Sequence, residues 1–77
     1  MSELELMREF GRNLKYELGL KHISQNKLAK KLFVGKSLIS KYVNGECMPS
    51  LKMFINIVNI LGCNPEDLIR FDDQIRL

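Results

Sequence analysis

Six lysines, Lys21, Lys27, Lys30, Lys31, Lys36 and Lys41, fall between Leu18 and Gly45, a stretch without an acidic residue. Among them stand short polar side chains: Ser24, Gln25, Asn26, Ser37, Ser40 and Asn44. Ammonium groups beside amide and hydroxyl donors can hold phosphate oxygens and reach the edges of bases. The remainder of the chain has six basic and nine acidic residues, so a net charge of +3 divides into a +6 block and a −3 frame. Such a block either faces a polyanion or is a solvated lysine-rich surface, and charge alone is neutral between the two.

Other chemistries find little support. The one histidine, His22, sits in a basic turn with no partner in the sequence. Cys47 and Cys63 are too few for a disulfide framework and lack zinc-ligand spacing. Cys63 occupies a helix junction and reads as a packed thiol; Cys47, in the loop Glu46-Cys47-Met48, is the weaker candidate for an exposed, redox-sensitive one. With no nucleophile–base pair, metal cluster or glycine-rich cofactor loop, the expectation is a non-enzyme without cofactor or metal.

The elements that must carry these groups are short helices. At 77 residues the chain makes one small domain over residues 1–77, of a size that buries about 60% of its unfolded surface. It has 45% hydrophobic and 27% charged residues, as globular chains do, and no apolar run of ~18 residues to span a membrane. The start Met1-Ser2-Glu3-Leu4-Glu5 is acidic, unlike a secretory signal, so a cytoplasmic protein is expected. No room remains for a separate ligand-sensing domain, and no small-molecule ligand is expected.

Ser2 and Glu5 have capping-box spacing, and Leu6 or Met7, Phe10, Leu14 and Leu18 follow at helical spacing to about Leu20. Ser24 caps a second helix carrying Leu28, Ala29 and Leu32. Gly35 opens a third, with Leu38, Ile39 and Tyr42 inward and Asn44-Gly45 as its stop. Ser50 caps a fourth with a core stripe of Leu51, Phe54, Ile55, Val58 and Leu61, ended by Gly62. Asn64-Pro65-Glu66-Asp67 starts a fifth bearing Leu68, Ile69 and Phe71, the last two helices together covering residues 50–71. The tail, 72–77, extends that helix or forms a short strand. The fold class is all-α, a compact five-helix bundle.

The segment Ser24-Gln25-Asn26-Lys27-Leu28-Ala29-Lys30-Lys31-Leu32-Phe33-Val34-Gly35-Lys36-Ser37-Leu38-Ile39-Ser40-Lys41-Tyr42-Val43-Asn44-Gly45 closely resembles the lambda-repressor-like (Cro/phage-repressor, XRE-type) helix-turn-helix family. The likeness extends through Pro49-Ser50-Leu51, Leu61-Gly62 and Asp67-Leu68, and back to Phe10-Gly11 and Leu14. It implies that the third helix lies in the major groove of double-stranded DNA. Lys36, Ser37 and Lys41 match positions that commonly read bases, and Ser40, between them, reaches a base or a phosphate. For each lysine a phosphate contact or plain solvation stays open. Gln25 matches a phosphate-binding residue at a helix N-terminus, flanked by Ser24 and Asn26. Lys27 supports the same backbone electrostatically. Asn44 matches a backbone-contact position, or is simply the left-handed residue before Gly45.

Three departures from the family pattern carry expectations. Phe33 stands where Gly is usual in the turn, which suggests a reshaped turn with Gly35 absorbing the bend. Gly35 replaces the usual Ser/Thr cap. Leu18 and Val43 replace an Arg–Glu pair, an exchange of buried ions for packed hydrophobes that can be nearly neutral.

The fourth helix is too apolar for a single buried face, since Met53, Ile57 and Ile60 make a second stripe. Either a second copy covers it, with Ile69 and Phe71 adding to the interface, or the fifth helix and tail fold over it within one chain. The expectation is a homodimer, binding a pseudo-palindromic operator as a transcriptional repressor. Alternatives are an antitoxin, a restriction-modification controller, the N-terminal domain of a longer regulator, or a module whose basic block binds an acidic protein.

Overall fold

The computed structural model describes residues 2–69 of the chain. Among them are five helices and no strand: α1 (Glu3–Leu20), α2 (Gln25–Leu32), α3 (Lys36–Val43), α4 (Leu51–Leu61) and α5 (Pro65–Leu68). Four of the five starts are marked by a side-chain cap, the exception being α3, whose N-cap is Gly35. The Ser2 hydroxyl accepts the Glu5 N–H at 3.1 Å while the Glu5 carboxylate accepts the Ser2 N–H at 3.0 Å. Ser24 and Ser50 cap α2 and α4 in the same way, accepting from Lys27 and Met53. At α5 the Asp67 carboxylate accepts the Asn64 N–H, and Pro65 takes the first turn.

The first three helices also end alike, on a residue in left-handed conformation whose neighbours return to the last turn. Ile23 N–H reaches Leu18 O, Val34 N–H reaches Ala29 O, and Glu46 N–H reaches Lys41 O. The left-handed residues are His22, Phe33 and Gly45, so two of the three are not glycine. At Gly45, with φ +74°, a side chain would be strained and crowded: a Cβ would lie 3.2 Å from the Arg8 Cα.

Helix α1 packs on α3 and α5, and α2 packs on α3 and α4. Phe10, Leu14, Leu28, Ile39, Ile57 and Leu68 are sealed from solvent, with one residue or more from every helix. Phe10 meets Tyr42 edge-on at 6.0 Å between ring centroids and Phe54 at 6.1 Å. The α1–α3 approach depends on Gly11, where a Cβ would stand 2.5 Å from the Val43 carbonyl oxygen and 2.6 Å from that of Tyr42. Leu18 is buried and Val43 packs against the same core, so both apolar replacements of the family's ion pair are absorbed by it.

Several expectations need correction. The inter-helix turn is not reshaped: Phe33 takes the left-handed conformation itself, at φ 60° and ψ 42°, while Gly35 has an ordinary φ of −76°. Asn44 is not left-handed either, because Gly45 takes that role. Helix α5 ends at Leu68 and Ile69 is extended. The largest correction concerns α4. Ile57, expected on a dimer face, is wholly buried, and Ile69 is buried as well. Met53 and Ile60 are half-buried against the core. Conversely Leu51 and Ile55, expected inside, are 76% and 49% exposed. The apolar arc of α4 runs from Ile60 round to Ile55, about 220° at 100° per residue. The core takes its middle and the Met53–Ile60 edge, leaving the Leu51–Ile55 edge in solvent. Phe71 and the tail 72–77 lie outside the described residues.

Candidate nucleic-acid interface

Helix α3 is divided cleanly along its length. Lys36, Ser37, Ser40, Lys41 and Asn44 occupy an arc of about 140° at helical spacing. Ile39 and Tyr42 face the core, flanked by the half-buried Leu38 and Val43. Lys36, Ser37, Lys41 and Asn44 are exposed; Ser40, toward the Lys36 edge of the arc, is half-buried.

Helix α2 delivers its N-terminus beside this arc. The Ser24 oxygen accepts the Lys27 N–H at 3.0 Å, which leaves the hydroxyl hydrogen free to donate outward. Gln25 and Asn26 form the first turn, where backbone amides lack partners within the helix and the macrodipole is positive. The N-cap of α3, Gly35, makes no side-chain cap bond, so the start of α3 is also open to an outside acceptor. Both starts meet in one polar cleft lined by Ser24, Gln25, Asn26, Lys36 and Ser40. Two positive helix ends and an ammonium group converge there, an arrangement suited to an anion.

The nine residues expected to touch DNA therefore divide by place. Five line the cleft. Ser37, Lys41 and Asn44 continue from it along the exposed face of α3, and Lys27 is exposed in the first turn of α2, outside the cleft lining.

Sequence reasoning missed one bond. The Ser40 hydroxyl donates to Gln25 Oε1 at 2.9 Å, joining α3 to α2 across the cleft. With its oxygen occupied, the Gln25 carboxamide directs its NH2 group to whatever occupies the cleft. Ser40 thus orients Gln25, a role that spacing along one helix cannot reveal.

The remaining singled-out residues lie elsewhere. His22 is the left-handed residue after α1. Cys63 is half-buried behind α4; burial, followed by the nearby Glu17 and Asp67 carboxylates, pushes its thiol pKa up, so it is held as the neutral thiol. Among the described residues no helix is long and apolar enough to cross a membrane.

Comparison with known proteins agrees with this geometry. The sequence profile of the Helix-turn-helix family matches residues 14–68. An uncharacterized HTH-type transcriptional regulator of Methanocaldococcus jannaschii is 37% identical over 61 residues, spanning 79% of this chain and 92% of that protein. Among solved structures, the restriction-modification controller protein C.AhdI from Aeromonas hydrophila superposes with a TM-score of 0.75 over 82% of this chain and 96% of that one. At 24% identity that likeness speaks to the fold. Motif, five-helix architecture and family match coincide on the same residues, and the chain belongs to the lambda-repressor-like, XRE-type helix-turn-helix family of transcription regulators.

Proposed function

We propose that this protein binds double-stranded DNA sequence-specifically as a homodimer and represses transcription by occupying a pseudo-palindromic operator. The observation that carries the reading is the polar cleft: the starts of α2 and α3 open on one side, beside an exposed polar arc, within an acid-free block of the chain. In this reading one backbone phosphate sits in the cleft, held by the Gln25 carboxamide and the first-turn amides of α2. That contact sets the depth and register of α3 in the major groove. Ser37, Lys41 and the Lys36 ammonium then meet base edges, and Asn44, Ser24, Asn26 and Lys27 meet flanking phosphates.

The dimer face in this proposal is the exposed edge of α4, Leu51 and Ile55 with the half-buried Phe54 and Val58 beside them. Pairing two copies there covers Leu51 and Ile55, two of the large apolar side chains that one chain leaves in water. Two recognition helices about 34 Å apart then read half-sites about 10 bp apart.

Selection of bound sequences from a random duplex pool tests this directly. A two-fold symmetric consensus with that spacing is the expected result. Recovery of no consensus, or an unaltered gel shift by a folded Gln25→Ala/Lys36→Ala/Lys41→Ala variant, overturns it.

A further inference from the structure

Phe33 is the anomaly of the fold. It holds a left-handed backbone conformation that glycine would adopt without strain, and the residue is 94% exposed. It therefore gives the core nothing in return for that strain. It borders a groove between the end of α2 and α4, lined by Lys31, Leu32, Phe33, Asn56, Asn59 and Ile60. None of these residues lines the polar cleft.

The chemistry of the groove is specific. Leu32 and Ile60 form a half-buried apolar floor, and Phe33 adds an exposed aromatic wall. The Asn56 and Asn59 carboxamides, both exposed, can donate to and accept from a peptide backbone. Helices α2 and α4 carry Lys27, Lys30, Lys31 and Lys52 and no acidic residue. A second identical groove would bring like charge against like. An acidic segment with one or two apolar side chains is complementary in both charge and polarity.

We infer that the Lys31–Phe33–Asn56 groove is a docking surface for an acidic, apolar-bearing peptide segment of a partner protein, engaged separately from the polar cleft. Phe33 is its anchor, an aromatic ring presented in advance of binding. This goes beyond the DNA-binding reading and does not depend on it.

The probe is a synthetic 12-residue peptide alternating Asp and Glu with Leu and Phe, titrated into the isotope-labelled protein. A second peptide with Lys in place of the acids serves as control. The expected result is saturable NMR shifts at Lys31, Leu32, Phe33, Asn56, Asn59 and Ile60 with the acidic peptide alone. Phe33→Gly, which suits the left-handed backbone and so keeps the fold, weakens that binding roughly tenfold or more and leaves DNA binding unchanged. The inference is overturned by any of four results: no shifts, shifts centred on Gln25 and Lys36, equal binding of both peptides, or equal affinity of the Phe33→Gly variant. It is also overturned if Phe33→Gly abolishes self-association in sedimentation, because the occupant is then a second copy.

Discussion

Ser40 and Gln25 show how a proposed contact residue depends on a neighbour that need not touch the ligand. The bond at 2.9 Å fixes which end of the Gln25 carboxamide faces the cleft. Ser40→Ala removes a hydrogen bond worth about 1 kcal/mol and leaves both helices intact. DNA affinity is expected to fall about three- to tenfold for every sequence alike, with no change in consensus, and Gln25→Ala should lose more in the same pattern. A base-reading Ser40 predicts the opposite, a loss concentrated at one base position, and competition binding against single-base operator variants separates the two. Lys36→Ala and Lys41→Ala are expected to cost about 1–3 kcal/mol each where the ammonium reads a base. A lysine that meets only phosphate instead lowers the salt slope of log K by about 1 and leaves sequence preference alone. Phe33 is the second instructive side chain. Replacing it with Gly relieves about 1–2 kcal/mol of backbone strain, against roughly 0.5–1 kcal/mol for the freer unfolded chain. The variant is therefore expected to be slightly more stable by urea unfolding, which would show that the fold does not need the ring.

Helix α1 binds the bundle together because Gly11 lets it approach the carbonyls of Tyr42 and Val43. Gly11→Ala puts a methyl 2.5 Å from a backbone oxygen that cannot rotate away, so α1 and α3 must separate. The expected loss is about 1–3 kcal/mol, the range of overpacked cores, seen as a lower urea midpoint at unchanged m. At the start of α1, hydrogen bonding to Ser2, through its backbone N–H first and its hydroxyl second, holds the Glu5 carboxyl below its ordinary pKa. A carboxyl whose pKa is lowered in the folded state contributes above its unfolded value and loses that contribution as pH falls through its folded value. The protection of the first-turn amides of α1, taken relative to the intrinsic exchange rate at each pH, is therefore expected to fall on acidification, and Glu5→Gln should flatten that response. Helix starts were legible in the sequence because Ser2, Ser24, Ser50 and Asn64 mark them by chemistry and not by hydrophobicity. The cleft residues were legible because the motif fixes their register. His22 escaped notice as a left-handed helix end, since the signal sought there is Gly or Asn, while at Phe33 the turn is legible but the bend reads as falling on Gly35. The Ser40–Gln25 bond escaped because it joins side chains fifteen residues apart on two helices.

The molecule as a whole is small enough that one helix must serve two surfaces. In α4 the apolar arc is wider than the core can cover, and periodicity cannot say which edge is left over. The fold answers this: Ile57 and Leu61 go inward, and Leu51 and Ile55 remain outside. That assignment moves the proposed dimer face to the Leu51–Ile55 edge and makes the two stripes separable by experiment. Leu51→Glu and Ile55→Glu place charge on side chains that are already exposed, so each variant is expected to fold with nearly unchanged stability. If the exposed edge is the dimer face, both sediment as monomers. Affinity for a two-half-site operator then falls by 10²–10⁴, the gain that linkage of two sites supplies, while affinity for an isolated half-site is unchanged. Ile57→Glu buries an unpaired carboxylate in the core and is expected to unfold the protein outright. Folded dimers of both the Leu51→Glu and Ile55→Glu variants, with full affinity for the symmetric site, would place the interface elsewhere and return the α4 edge to simple surface.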